Sequence, residues 1–141
     1  MALVTKIGAQ GQSTPGLTIT AEAAAGHWRA KDEAEFKVFA AKRDPEMVRG
    51  LLALGAEPTR EQVENLRVAI LAEDPKAIFF AAHRLKGASG SMFAGELAAL
   101  AGDLEIASED PARIAKIFPK LEAAATAALR WWSERVQELE G

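Results

Sequence analysis

AAHRLKGASGSM, residues 81–92, carries the pattern from which the architecture of this chain follows most directly. On a helical wheel, with about 100° between successive residues, the side of this stretch opposite its histidine is almost entirely apolar. That side is therefore predicted to face a core, and the histidine to face solvent. The positions on the solvent side, one of them from the preceding turn, are Phe79, His83, Lys86, Gly87 and Gly90.

Two glycines on the solvent side of a helix are unusual. Each costs about 1 kcal/mol relative to alanine in a helix interior, and an ordinary exposed helix has Lys, Glu or Gln at such positions. A glycine beside an exposed reactive group lets another molecule come close to the backbone. We therefore expect Gly87, Gly90 and the ring of Phe79 to form a surface on which a partner docks. The alternative, for Phe79 and for Phe80, is that N-terminal helices cover the ring.

The side chains around His83 suit nucleophilic chemistry. A neutral imidazole has a ring nitrogen with a free lone pair, so it needs no general base to attack phosphorus. Lys86, one turn further along the helix, can offset the negative charge of a phosphoryl group. His83 is thus the candidate catalytic nucleophile, and Lys86 is the candidate residue for charge stabilisation. The simpler alternative is a surface histidine without a role.

Helices are predicted on both sides of this stretch. Three Asp-Pro pairs each combine a capping residue with a proline at the first helical position, and no segment has the two-residue alternation of a strand. Gly55 and Pro58 predict a break, and Pro119 predicts a kink or a restart. The predicted helices cover about 21–42, 45–54, 59–73, 75–92, 95–108 and 111–138.

The fold class that follows is all-α. Short connections between the last four long helices favour an antiparallel up-down four-helix bundle. Its core is placed at about 59–140, with additional N-terminal helices covering one side or end. Residues 1–19 are rich in Gly, Ser, Thr and Gln and are predicted to form an irregular N-terminal arm. Residues 20–141 are predicted to form a single domain.

Composition excludes several classes of function. The 141 residues carry a net charge of −3, without the basic stripe expected of a protein that binds nucleic acid. The absence of cysteine excludes disulfides and thiolate metal sites. No apolar run approaches the roughly 20 residues that span a bilayer, and no phosphate-binding glycine-rich loop is present. We expect a cytoplasmic monomer that contacts neither membrane nor nucleic acid.

The motif around the histidine resembles the signature of histidine phosphotransfer (HPt) domains. His83, Lys86 and Gly87 match the family's H-x-x-K-G, in which the histidine is phosphorylated. The resemblance extends over roughly 59–130. It includes Asp74, which begins the histidine helix, and Leu97, Leu104 and Glu105 on the next helix. The chain departs from the family at Phe93, ten residues after the histidine, where a glycine is common.

The resemblance implies a four-helix bundle that accepts a phosphoryl group from a receiver-domain aspartate and passes it to another receiver in a phosphorelay. The partners implied are response-regulator receiver domains and a hybrid sensor kinase. Magnesium is expected in the partner receiver domain, so this chain needs no cofactor and no metal. The protein is then a phosphocarrier with a covalent phosphohistidine, without kinase activity of its own. The alternative is a non-catalytic helical adaptor that binds receiver domains.

Four other features receive structural interpretations. His27 has no partner at ligand spacing and is expected to lie outside any site. Ser89 falls on the buried side of its helix and is expected to pack or to bond the helix backbone. Of Trp131 and Trp132, one ring is expected in the core and the other partly exposed. The acidic stretch 105–110 is expected to be a solvated helix end rather than a metal site.

Overall fold

The computed structural model describes residues 21–140, with side chains from Gly26 onward, and within that range it is helical without any strand. The all-α fold class is therefore confirmed for the described part of the chain. The arm predicted at 1–19 lies outside the described residues, and the division into arm and single domain stays a prediction. The helices are α1 (Ala21–Ala41), α2 (Pro45–Leu71), α3 (Pro75–Gly90), α4 (Gly95–Ile106) and α5 (Pro111–Glu140).

Each Asp-Pro pair begins a helix, as predicted. The proline is the first residue of α2, α3 and α5, where its missing N–H would have no helical partner in any case. At two of these starts the aspartate also caps the helix. The carboxylate of Asp74 accepts a hydrogen bond from the Ala77 amide at 3.2 Å, and that of Asp110 from the Arg113 amide at 3.3 Å.

The predicted break between helices 45–54 and 59–73 is wrong, because α2 is one continuous helix. Pro58 has no N–H to donate to the carbonyl of Leu54, but both residues are exposed, so water can take that acceptor. The hydroxyl of buried Thr59 donates to the carbonyl of Gly55 at 2.9 Å. Gly55 is a packing position rather than a helix stop, because the terminal methyl of Met92 occupies the space of its missing side chain.

The predicted restart at Pro119 is also wrong. Residues 111–140 form the single helix α5, with this proline in its interior and exposed to solvent. Two other helix ends differ slightly from prediction, since α3 stops at Gly90 rather than near Met92 and α4 stops at Ile106 rather than near 108. Such differences of one or two residues are ordinary for frayed helix ends.

Four helices enclose the core. α2 packs on α3 and α5, and α4 packs on the same two helices, so the four form a closed ring. Val48 and Leu52 belong to this core, which therefore begins upstream of the predicted bound at 59. Burying one leucine side chain stabilises the fold by about 1.5–3 kcal/mol. The largest fully buried side chains are Leu52, Leu66, Leu85, Leu97, Leu104, Leu121 and Trp132.

The two adjacent tryptophans divide as predicted. Trp132 is buried in the core, and its indole N–H donates to the carbonyl of Met92 at 2.7 Å. Trp131 is only half-buried and meets the edge of Phe36, which belongs to α1. The helix α1 thus covers one side of the four-helix bundle, as predicted for the N-terminal helices. In the described part of the chain, no helix has the length and apolar character needed to cross a membrane.

Candidate functional site

The buried side of α3 agrees with the helical wheel, and it directs the opposite side outward. All five buried residues of this helix lie on the predicted side: Ile78, Ala81, Ala82, Leu85 and Ser89. The side chain of His83 is 60% exposed, as the wheel predicts. The hydroxyl of Ser89 donates to the carbonyl of Leu85 at 2.5 Å, which confirms the predicted bond to the helix backbone. The packing of α3 thus places an imidazole in solvent at the middle of the helix.

Glu105 joins the site from the neighbouring helix α4. Its Oε2 lies 2.5 Å from Nδ1 of His83, and its Oε1 accepts a hydrogen bond from Nζ of Lys86 at 2.7 Å. The carboxylate is only 13% exposed. The expectation of a solvated helix end at 105–110 is therefore wrong for its first residue. Sequence reasoning placed Glu105 within a family pattern but gave it no role in the site.

The missing side chain of Gly102 makes room for this arrangement. A Cβ at that position would lie 3.4 Å from Cδ of Lys86, so the lysine stem runs closely over α4 at this glycine. The ammonium group then reaches the carboxylate of Glu105, one turn further along α4. The side chain of Lys86 thus contacts α4 both through its stem and through its ammonium group, and it is 44% exposed.

The charge state of Glu105 determines which ring nitrogen of His83 is free. The hydrogen bond from Lys86, followed by the one with His83, holds the pKa of the Glu105 carboxyl below its usual value. An ionised carboxylate can only accept hydrogen bonds. The proton of the 2.5 Å contact therefore belongs to Nδ1 of the imidazole, and in the neutral ring the lone pair is on Nε2. Glu105 thus favours the neutral tautomer with its proton on Nδ1 and its lone pair on Nε2.

Phe79 lies one turn before the histidine and stacks on it. The two rings are nearly parallel, at 8°, with centroids 6.0 Å apart. Phe79 is 40% exposed, and the adjacent Phe80 is 54% exposed. In the described part of the chain, the N-terminal helix α1 therefore does not cover these two rings. The imidazole has a carboxylate at its edge and an aromatic ring on one face.

The two glycines of α3 have no structural reason to be glycine. A Cβ at Gly87 would meet nothing within 4 Å, and one at Gly90 would only reach ordinary contact with the Cβ of Ala98, at 3.9 Å. No glycine in the described residues has a positive φ, so backbone conformation does not require them either. The fold thus tolerates side chains at both positions, and what glycine provides there is an open surface beside His83.

The structure brings some of the predicted site residues together and leaves others apart. Phe79 stacks on the His83 ring, and Lys86 bonds the same Glu105 carboxylate as His83 does. Gly87 lies one turn from His83 on the same side of the helix. Gly90 lies a further turn away, against α4. His27 is on α1, edge-on to the ring of Trp28. Among the side chains that the structure describes, residues 26–140, no group of three or more His, Cys, Asp or Glu could hold a metal ion.

Phe93 stands where the family commonly has a glycine, and its backbone has a conformation that favours glycine. Its φ is 62°, which is the left-handed region that glycine adopts without cost. It lies between the end of α3 and the start of α4, where the backbone must reverse. A glycine at this position would therefore adopt the same φ without cost.

Comparison with known proteins gives one match. A family model described as Hpt domain matches residues 51–139, which is more than half of the chain. The matched segment contains α3, α4 and nearly all of α5, with the histidine, the lysine and the glutamate of the site. No curated protein and no solved structure matches the chain.

Proposed function

The chain belongs to the Hpt domain family, and we propose that it carries a phosphoryl group on Nε2 of His83 between receiver domains. Hpt domains take part in phosphotransfer in two-component phosphorelays and interact with response-regulator receiver domains. Acceptance from one receiver and delivery to another is the specific step that we propose for this chain. A hybrid sensor kinase is the proposed source of the first receiver.

The observation that carries the proposal is the double contact of Glu105. This carboxylate holds Nδ1 of His83 at 2.5 Å and Nζ of Lys86 at 2.7 Å. Nδ1 is therefore occupied and Nε2 is left as the reactive atom. A side chain that is 60% exposed leaves room for the in-line geometry that phosphoryl transfer requires.

The proposed reaction exchanges one bond to phosphorus for another. The lone pair of Nε2 attacks the phosphorus of a receiver's aspartyl phosphate, and the P–O bond breaks with its electrons passing to the aspartate carboxylate. The imidazole keeps its proton on Nδ1, so the ring becomes cationic as the N–P bond forms. The Glu105 carboxylate stabilises that cation directly. The reverse reaction delivers the phosphoryl group to the next receiver.

Lys86 has two proposed roles in this reaction. In the resting site its ammonium group balances the charge of Glu105. When the phosphoryl group arrives, the same ammonium can offset the charge on its oxygens. Magnesium is proposed to come from the partner receiver domain, so the chain itself holds neither metal nor cofactor and acts as a carrier rather than as a kinase.

Exposed apolar side chains near His83 form the proposed docking surface. Phe79 and Phe80 lie within one turn of the histidine on α3. Gly87 and Gly90 continue the surface without side chains, so a receiver can approach the imidazole over them. An apolar surface around a reactive group fits a partner protein better than a small substrate.

An antiparallel up-down order of the four bundle helices is part of the proposal. From Lys86 to Gly90 on α3, the neighbouring residue on α4 moves back from Gly102 to Ala98, which supports opposite directions for these two helices. The closed ring of packed helices and their short connections support the same order for the rest. The protein is further proposed to be a cytoplasmic monomer.

A transfer experiment tests the function. Purified chain is incubated with a receiver domain that carries a radiolabelled aspartyl phosphate, and acid-labile phosphate is mapped on the products. We expect label on the wild-type chain and on the His27→Gln control, and none on the His83→Gln variant. Because His83 faces solvent, that variant should keep its helicity.

The adaptor alternative gives a different result in the same experiment. A non-catalytic adaptor would bind the phosphorylated receiver, yet it would remain unlabelled in every variant. The arrangement of Glu105 and Lys86 around the imidazole favours the carrier, since an adaptor needs neither a fixed tautomer nor a charge partner for a phosphoryl group.

A further inference from the structure

The corner between α3 and α4 is held by a helix outside the matched family segment. The model of the Hpt domain covers 51–139, whereas α1 spans Ala21–Ala41. A short connection, 42–44, joins α1 to α2. Several contacts of α1 with the bundle lie at the turn containing Phe93 and at the start of α4.

Phe93 is the centre of these contacts. Its φ of 62° is unfavourable for a residue with a Cβ. Its ring is packed against two rings of α1, with centroids 5.4 Å from Phe36 and 5.2 Å from Phe39. The cost of the left-handed conformation is therefore offset in part by aromatic packing against α1. A glycine would give the same backbone path without this anchor.

Asp32 of α1 completes the amino-terminal end of α4. The residue before that helix, Ala94, has no side chain that could cap it. Instead, both carboxylate oxygens of Asp32 lie 3.2 Å from the Gly95 amide nitrogen. The Trp28 ring fills the space where a Cβ of Gly95 would lie, with Cε3 2.5 Å away from that position. A carboxylate at a helix start is favourable through the helix dipole as well.

Glu33 ties the same helix to α5. One carboxylate oxygen accepts a hydrogen bond from the indole N–H of Trp131 at 2.7 Å and another from Arg135 at 2.9 Å. The side chains of α1 that make all these contacts lie on one side of the helix: Trp28, Asp32, Glu33, Phe36 and Phe39.

Despite these contacts, α1 is the least embedded helix. None of its described side chains, residues 26–41, is fully buried, whereas each of the other helices contributes fully buried residues. An element with few buried apolar contacts opens at a lower free energy than the core does. The helix can therefore come off the bundle while the four-helix ring remains folded.

We propose that α1 is a detachable clamp on the α3–α4 corner, and that its docking controls how firmly α4 presents Glu105 to His83. The connection is direct. α4 is a helix of 12 residues, capped at one end by Asp32 and carrying Glu105 near the other, about 15 Å away. Release of α1 removes that cap and leaves Phe93 strained, which loosens α4. Binding of α1 by another molecule would thus turn the reactivity of His83 down.

Hydrogen exchange and NMR of the unphosphorylated full chain test the clamp. The Phe36→Ala/Phe39→Ala variant removes both rings that hold Phe93. Its Gly95 amide should exchange about tenfold faster than in wild type, while amides in the middle of α3 keep their rates. The ¹⁵N signals of the His83 imidazole should show a smaller fraction protonated on Nδ1. The control is Val38→Ala, on the exposed side of the same helix, which should change neither signal.

A second pair of variants keeps the test decisive if the double variant does not fold. Asp32→Ala removes only the cap of α4 and should give the same two changes, and Asp32→Asn, which keeps an acceptor oxygen, should restore them in part. Each of these variants is called a released variant if it folds. The proposal is overturned if a released variant shows the wild-type exchange rate at Gly95 and the wild-type ¹⁵N signals of His83.

Transfer from a phosphorylated receiver provides the functional readout, which rests on the proposed function. We expect the released variant to accept phosphate about threefold more slowly than wild type. If wild type accepts no phosphate, the proposed function fails, whereas the NMR result still decides the clamp. If wild type and the released variant accept phosphate equally fast, the clamp does not control His83.

Discussion

Glu105 and His83 are 22 positions apart in the chain, and the contact between Oε2 and Nδ1 joins them at 2.5 Å. No other side chain in the described residues is hydrogen-bonded to this imidazole. The chemistry of the site thus depends on the packing of α4 against α3 as much as on the motif around the histidine.

Replacing Glu105 should slow phosphoryl transfer. Glu105→Gln keeps an oxygen acceptor for the Nδ1 proton but loses the negative charge, so we expect a rate about tenfold lower. Glu105→Ala loses both and should be about a hundredfold slower. Rapid-quench measurement of transfer from a phosphorylated receiver gives both rates. Glu109→Gln, an exposed carboxylate just after α4, is the control, and an unchanged rate in Glu105→Ala would remove this residue from the mechanism.

The stability of the protein should depend on pH through Glu105. Its pKa in the folded state is lowered from 4.5 by Lys86 and then by His83, so the stabilisation is complete above the unfolded value. It is lost as the pH falls from 4.5 through the lowered folded value, because the carboxyl then binds a proton and loses its partners. The melting temperatures of wild type and Glu105→Gln should therefore differ at pH 7, and the difference should shrink as the pH falls below 4.5. A constant difference across that range would contradict this assignment.

Lys86 should assist transfer without being indispensable. Its side chain is 44% exposed, and salt screens charges at such a position. We expect Lys86→Ala to slow transfer roughly tenfold. It should also lower the melting temperature at pH 7, by no more than Glu105→Gln does, because the larger cause of the lowered Glu105 pKa is lost. Lys116→Ala on α5 is the matched control. A rate equal to that of wild type at low salt would mean that the lysine is only a solvated side chain.

Gly87→Gln should separate the docking surface from the fold. The added side chain meets no atom of the protein, and glutamine is the better helix former, so helicity should stay the same or rise slightly. Bulk beside His83 should nevertheless weaken receiver binding and slow transfer severely. Circular dichroism, binding isotherms and transfer rates measure the three effects. Gly50→Gln, at a second helical glycine with open space around its Cβ, should have the same small effect on helicity and leave receiver binding and transfer unchanged.

The parts of the site that lie on one helix could be predicted from the sequence, because helical periodicity determines them. The exposure of His83 and its neighbourhood with Phe79 and Lys86 follow from positions three and four residues apart. The role of Glu105 could not be predicted in this way. Its place beside His83 depends on the register between two helices, and a single sequence does not encode that register locally.

Breaks in the helices were the least predictable part of the fold. Gly55 and Pro58 carry an ordinary stop signal, but the Met92 side chain needs the space at Gly55, and solvent tolerates the free carbonyl near Pro58. Tertiary packing thus overrides local propensity in α2. At Phe93, packing also overrides the local preference. Its left-handed backbone favours glycine, but the bulky ring packs on α1.

NMR of the phosphorylated protein tests the central claim most directly. With ¹⁵N-labelled histidine, coupling to ³¹P identifies the nitrogen that carries the phosphoryl group, and the proton on the other nitrogen gives the tautomer. We predict phosphorus bonded to Nε2 of His83, with the proton retained on Nδ1 beside Glu105. Phosphorus on Nδ1 of His83, or on any other residue of the chain, would contradict it.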